Sequence, residues 1–455
     1  MTSVTGQLAD FCSALRTRPI PDPTLDHAAA ALLDWLGAAL AGASSDSGAL
    51  TRRLEPLLGG PREASLVGCA QRASTYLAAL HNGTSSSVHE LDDVHLDAAI
   101  HPGVVVIPAV LAVAEATRCG ARELLTGIIA GYEVMARVGW MLGPSHYHNW
   151  HTTSTSGCFG AAAAAGYLWR LDPGTLGAAL GLAGAQAGGV WEGISREAVM
   201  VKHFHGGRAA AAGLLAASLA RTGYPGAARV LEGERGLVAA ASTSTAADIR
   251  TAMASLGTEF MVQRNFFKRY PCCLGNFQGL DAVASLTKQS GVAADDVEAV
   301  TVRLESTSAW MVGNTAPDSI FEAKFSLPFA IATLLTAGRL GFAEYDDGWL
   351  HDPRVRGLMG RVKLVADDSL AENAAIVEMH IRGGQRMEGE GSWRNLTLPE
   401  VERKFREVVG GLLGSARAAR LVDLVYGLPR ANSTEPFFEE LAGTSALRTP
   451  EGETR

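Results

Sequence analysis

The sequence predicts a mainly α protein that carries a second, α+β domain. Three observations predict it. From the start to about residue 260 the apolar residues recur at helical spacing, near Arg264 they change to strand-like alternation, and from Leu398 the helical pattern returns. At 455 residues the chain is too long for one compact core. Its 47% hydrophobic and 19% charged residues are a normal globular balance.

Leu25, Ala28, Ala29, Leu32, Leu33, Leu36, Ala39 and Leu40 lie on one helical repeat, with Asp22, Pro23 and Thr24 as start chemistry and Gly42 as a stop. Val104–Thr117, Leu124–Val138, Phe159–Trp169, Thr175–Ala187 and Arg208–Arg221 read the same way. Several are apolar nearly all round, which places them inside a helical domain. The run Ala161–Ala165 fits close helix packing, so everything before the change near Arg264 is expected to be helical. Beyond it, Val300, Val302 and Leu304 alternate with Thr301, Arg303 and Glu305. Val377, Met379 and Ile381 repeat the pattern, and Gly383-Gly384 supplies a hairpin turn before Gln385–Glu390. Val362 and Leu364 mark a third strand and Phe325–Gly338 a helix. Leu398, Val401, Phe405, Val408, Val409 and Leu412, with Pro399 in the first turn, form a last helix that can rejoin the helical domain. Thr444–Arg455 reads as a polar, frayed end.

The net charge of -8, without a basic block or aromatic-basic interleaving, gives nucleic-acid binding no support. Met1–Asp10 lacks the basic and apolar regions of a signal peptide. Val104–Ala116 and Ala209–Ala220 fall short of the roughly 20 apolar residues that span a bilayer, so no membrane partner is expected. Cys12, Cys69, Cys119, Cys158, Cys272 and Cys273 form no CxxC pair, which points to a reduced, cytoplasmic setting. No P-loop, GxGxxG, HExxH or GxSxG occurs. His89, His95 and His101, or His146, His148 and His151, can be drawn as metal ligands, but their spacings match no standard zinc pattern, and no metal is expected.

Four segments carry candidate chemistry. In the first, His89-Glu90-Leu91-Asp92-Asp93-Val94-His95 precedes His101-Pro102-Gly103. Pro102 suits a first helical turn, which sets His101 at a helix N-terminus where the dipole favours anions and a neutral imidazole. That suits a general base acting beside a carboxylate; the alternative is a plain capping residue. In the second, His151-Thr152-Thr153-Ser154-Thr155-Ser156-Gly157 brings hydroxyls and free N–H groups to the start of Phe159–Trp169, an anion site or an ordinary Ser/Thr cap. In the third, Lys202-His203-Phe204-His205-Gly206-Gly207-Arg208 offers a cation for a carboxylate and glycines for close approach, or else a solvated basic helix start. In the fourth, Lys268 stands among Phe266, Phe267 and Tyr270. It is either a buried amine of lowered pKa or a snorkelling lysine. Cys272 and Cys273 have no base nearby in sequence and read as packing or pocket-wall residues.

These segments, in this order and spacing, resemble the MmgE/PrpD family. Glu90-Leu91-Asp92-Asp93-Val94-His95 with His101-Pro102-Gly103 is similar to its acidic stretch and HPG turn, and His151–Gly157 to its H-x-T-G-T-x-G segment. Lys202–Ala210 is similar to K-x-x-H-x-G-[RK]-A-A, and Lys268–Cys273 to K-x-Y-P-x-C. The resemblance implies a large all-helical domain, residues 1–264 and 405–455, completed by the C-terminal tail, and a smaller α+β lid domain, residues 265–404. It also implies a homodimer and no cofactor. It implies dehydration, decarboxylation or epimerisation of a small di- or tricarboxylate, as with 2-methylcitrate, cis-aconitate or iminodisuccinate. By position it implies Asp93, His101, His151, Lys202 and Lys268 as catalytic residues. His101 or His151 would transfer protons, the lysines would hold carboxylates or an enolate-like charge, and Asp93 would orient a histidine or bind a hydroxyl. Glu90, Asp92, Thr152, Ser154, His205, Arg208, Tyr270 and Cys273 are the implied substrate-binding residues. Ser154 replaces a glycine common in the family, and Leu274-Gly275-Asn276-Phe277-Gln278 lacks a histidine that many relatives carry there, which bears on which bond is broken. A non-catalytic carboxylate-binding relative and a metal-dependent hydrolase are the alternatives.

Overall fold

The computed structural model describes residues 3–69, 71–193 and 199–444. The chain forms two compact units. The larger takes the chain up to Val88, Asp92–Phe267 and the chain from Leu396 onward; the smaller takes His89–Leu91 and Lys268–Asn395. The mainly α architecture with a second α+β unit is the one the sequence predicts. The divisions fall at Phe267/Lys268 and Asn395/Leu396, so the whole Leu398–Leu413 helix lies in the larger unit.

In the larger unit the helices Ala121–Tyr147 and Met200–Arg221 both pack on Thr152–Leu168, which is buried along its full length. Close approach requires glycine here. A Cβ at Gly160 would stand 2.6 Å from that of Met135, and one at Gly207 would stand 2.1 Å from the carbonyl oxygen of Leu80. Ala121–Tyr147 is broken at Gly143 (φ 63°), just before Pro144, whose ring cannot continue the backbone ladder. The C-terminal helix Leu398–Leu413, begun by a Thr397/Glu400 capping box, lies on the buried helix Asp22–Gly42. Its Lys404 Nζ donates to Asp34 Oδ1 at 2.7 Å.

The helical expectation for residues 1–264 fails at one place. β1 (Ala64–Leu66) and β2 (Gln71–Ala73) pair antiparallel across a turn containing Gly68. Strands of three residues are too short to show alternation. Two helices also begin earlier than expected. Thr152–Leu168 takes in the hydroxyl run expected ahead of the helix, and Met200–Arg221 takes in Lys202 and His205. The hydroxyls fit because they bond back along the helix: Thr155 Oγ1 and Ser156 Oγ both donate to the carbonyl of Thr152. Of the expected frayed end, residues 445–455 lie outside the described residues, and Thr444 is buried, its hydroxyl accepting from Gly68 N–H at 3.3 Å.

In the smaller unit, β3 (Val297–Leu304), β4 (Val362–Ala366), β5 (Ala374–Ile381) and β6 (Gln385–Ser392) form one sheet in the order β4-β3-β5-β6. Only β3 and β4 are parallel. Val300, Val302, Leu304, Val377, Met379 and Ile381 are buried, as their alternation predicts. The helix Phe277–Ser290 packs so closely on β6 that a Cβ at Gly391 would meet the Gln278 carbonyl at 2.0 Å. Among the described residues no single helix is long and apolar enough to cross a membrane.

Candidate active site

His101 is held from behind. Its Nδ1 lies 2.9 Å from Asp92 Oδ2 and 2.9 Å from the carbonyl oxygen of Asp93. Both neighbours are acceptors, so Nδ1 carries the proton and Nε2 keeps its lone pair when the ring is neutral. The sequence placed His101 at a helix N-terminus that favours anions, and a carboxylate of the chain itself is bound there. Asp93 Oδ1 accepts from Gly103 N–H at 2.9 Å, while Asp93 Oδ2 accepts from Tyr132 OH at 2.6 Å and Asn265 Nδ2 at 2.7 Å. Burial raises the Asp93 carboxyl, and the three donors pull it back. Gly103 is required, because a Cβ there would stand 2.7 Å from Asp93 Oδ1. Asp93 therefore orients His101 through its backbone carbonyl, and its side chain ties together four segments of the chain.

His151 stands as N-cap of Thr152–Leu168, its N–H donating to Gly189 O at 2.9 Å. Its ring centroid is 6.4 Å from that of His101 and 4.9 Å from that of Trp191, and its Nδ1 is 3.0 Å from Nδ1 of His205. The two histidines are also linked through the backbone: Thr153 Oγ1 accepts from the N–H of His101 at 3.0 Å. Thr152 Oγ1 is buried and has no hydrogen-bond partner, which leaves it able to donate to a ligand. Lys202 is buried in the first turn of Met200–Arg221.

Arg208 and Ser154 have another task than the one expected of them. Arg208 Nη1 donates to Gln186 O at 2.8 Å. Its Nη2 donates to Ser154 O and Oγ, both at 3.0 Å, and to Gly188 O at 3.1 Å. Both nitrogens are thereby occupied in fixing the turn that carries Gly189, and through it His151. The Ser154 side chain fills the space over Gly189, where φ is 116° and an added Cβ would lie 2.5 Å from Ser154 Oγ. The extra hydroxyl is a latch on that turn.

The smaller unit has its own buried polar group. Lys268 Nζ donates to Glu90 Oε2 at 3.0 Å, with side-chain exposures of 1% and 3%, so Lys268 is buried and does not snorkel. Lys324, also buried, has its Nζ 3.3 Å from Nδ1 of His89, whose ring meets Phe342 edge-on. Sequence reasoning missed Lys324, whose only signal is a lone lysine between Ala323 and Phe325. The hydroxyl of Tyr270 donates to Asp281 at 3.1 Å, and Cys273 Sγ packs 3.3 Å from Met311 Sδ. Burial pushes the Cys272 thiol up to about 12, which makes it inert.

The histidine sets drawn as metal ligands do not assemble. Among the described residues no group of three or more His, Cys, Asp or Glu is placed to hold a metal ion. His146 is bonded at Nδ1 to Ala241 O and at Nε2 to Thr155 Oγ1. His95 is buried with neither ring nitrogen bonded, and burial pushes it down to about 4.

The comparisons with known proteins give the class, an enzyme of the lyase type. The chain belongs to the MmgE/PrpD family: it matches the MmgE/PrpD N-terminal domain over residues 6–250 and the MmgE/PrpD C-terminal domain over residues 270–428. It is 27% identical to the cis-aconitate decarboxylase of Aspergillus terreus, over 97% of this chain and 96% of that protein. It is 25% identical to the human cis-aconitate decarboxylase, over 94% of this chain and 92% of that protein. It is also 25% identical to the cis-aconitate decarboxylase-like protein oryM of Aspergillus oryzae, over 97% and 98%.

Proposed function

We propose that this protein is a cofactor-independent lyase that moves a proton next to a carboxylate on a small di- or tricarboxylate, with decarboxylation of a cis-aconitate-like substrate as the leading reaction. The observation that carries this reading is the His101–His151 pair, with ring centroids 6.4 Å apart and each ring backed at Nδ1. The names of the full-length relatives point to the same chemistry.

In such a reaction the bond from the carboxymethyl carbon to its carboxylate breaks and CO2 leaves. Its electron pair forms a new C=C bond, the old C=C pair moves to the far alkene carbon, and that carbon takes a proton from an imidazolium. Lys202 holds a carboxylate of the substrate and balances the charge that develops as CO2 departs. Thr152 donates its hydroxyl to a substrate oxygen. Asp92 accompanies the proton that His101 takes up between turnovers.

Proton NMR in D2O with cis-aconitate, citrate, 2-methylcitrate and iminodisuccinate tests this. The expected result is CO2 loss from cis-aconitate with one deuteron in the product. Water loss from 2-methylcitrate, or deuterium exchange in iminodisuccinate at constant mass, would replace decarboxylation by dehydration or epimerisation. No change in any of the four overturns the reading.

A cytoplasmic setting is supported by six free cysteines. A homodimer is supported by exposed Met200, Phe204 and Leu215 along one helix; sedimentation at micromolar concentration giving only a monomer would refute it.

A further inference from the structure

Two buried imidazoles of the larger unit face each other through like atoms. Nδ1 of His151 lies 3.0 Å from Nδ1 of His205, with ring centroids 5.2 Å apart and planes inclined by 33°. Such a contact is a hydrogen bond only when one nitrogen carries a proton and the other presents its lone pair. The surroundings decide which ring accepts. His205 sits in the second turn of Met200–Arg221, with Lys202 three residues before it and Arg208 three residues after. Burial first, then Arg208 and Lys202, push it down to about 4. From the neighbouring segments, a Cβ added at Gly189 would lie 3.4 Å from its Cε1, and His151, with His101 beyond it, faces it among the described residues. When the pair holds one extra proton, the ring that resists it stays neutral, so His205 accepts from the imidazolium of His151 across the 3.0 Å contact.

We propose that His205 is a positioning residue: it accepts the Nδ1–H of His151, and so makes Nε2 of His151 the atom that exchanges a proton with the substrate. This rests on the reading of His151 as a proton-transfer group. It gives the two working histidines the same tautomer with unequal support, a carboxylate behind His101 and a neutral imidazole behind His151. It also removes His205 from the set of groups that touch substrate. A second prediction is contained in it. At 3.0 Å the two rings do not both carry charge, so the pair gains one proton, not two, across the acidic range.

The test uses the full chain with His205→Asn, whose amide oxygen takes the place of Nδ1, and His205→Leu, which keeps bulk and removes the acceptor. Ring 15N NMR of substrate-free enzyme reads the tautomer of His151 directly. It is expected to show a protonated Nδ1 and a lone pair on Nε2 in the wild type and in His205→Asn, and a mixture of tautomers in His205→Leu. With turnover as readout, His205→Leu is expected to lower kcat about 100-fold at nearly constant KM and to shift the acidic limb of the kcat/KM profile, while His205→Asn recovers most of the loss. A wild-type His151 protonated on Nε2 would overturn the proposal, as would equal losses in both variants with an unchanged tautomer. Failure of the underlying reading is separate: it would appear as no turnover by the wild type, with the NMR result still decisive for His205.

Discussion

Asp92→Asn removes the charge behind His101 with little change of shape. Two acceptors share one N–H in the wild type, Asp92 Oδ2 and the carbonyl of Asp93, each 2.9 Å from His101 Nδ1. The carbonyl stays in the variant, so the tautomer is kept and only the charge assistance is lost. A hydrogen bond to a charged group contributes about 1.5–3 kcal/mol and a neutral one about 1, a difference of about 0.5–2 kcal/mol. If that difference is felt in the transition state, kcat falls roughly 2- to 30-fold. This is far less than the roughly 10⁴-fold loss seen in serine proteases when the carboxylate is replaced by an amide and the tautomer is wrong. The assay is the initial rate of CO2 release at saturating cis-aconitate, with a thermal melt as control. An unchanged rate would remove Asp92 from the machinery. A loss beyond about 1,000-fold at unchanged Tm would show that the Asp93 carbonyl does not hold the ring.

Three further predictions concern stability. Burial pushes the Asp34 carboxyl up to about 6 against the pull of Lys404. A folded value above the unfolded one favours the protonated form, so the contribution to stability is full below about pH 4 and lost as pH rises through about 6. Asp34→Asn should gain on the wild type by up to about 3 kcal/mol between pH 4 and 7, and a constant difference in melting temperature would refute this. His95→Leu replaces a buried ring whose nitrogens are unbonded and should be neutral or stabilising by about 1 kcal/mol, whereas a drop of several degrees in Tm would reveal a partner for that ring. Lys268→Met removes the cation beside the buried Glu90 carboxylate and should cost about 3–5 kcal/mol, of which Lys268→Met/Glu90→Gln recovers most; additive losses in urea melts would show that the two are not coupled.

Long elements with a sustained period were legible in the sequence, whereas it left open whether Lys202 and Lys268 are solvated or buried, and both are buried. The β1–β2 hairpin was not legible, because three residues show no alternation. The first two turns of Thr152–Leu168 were hidden because serine and threonine usually compete with the helical backbone. Here burial makes them bond back to it. The role of a polar side chain was the least legible feature. Arg208 sits in a segment rich in site residues, yet its donors reach the carbonyls of residues 186 and 188, about 20 positions earlier in the chain, and no local spacing reports such a contact. Asp93 drew attention as a residue that orients a histidine or binds a hydroxyl, while its three donors come from residues 103, 132 and 265. Lys324 gave no signal because its neighbours in sequence are not its neighbours in space.

The knot of bonds on Asp93 has a consequence for how the protein can be divided. The match to the N-terminal domain of the family ends at residue 250, but Asn265, which holds Asp93, comes after it. Lys404, which answers Asp34 inside the same unit, comes from the far end of the chain. A fragment cut at residue 250 would contain both histidines and still lack Asn265, which holds Asp93, and Lys404, which pairs with Asp34. During synthesis the same holds in time: the loop bearing His101 acquires its last donor only once residue 265 has emerged, and the first buried acid acquires its cation only after the entire α+β unit has been made.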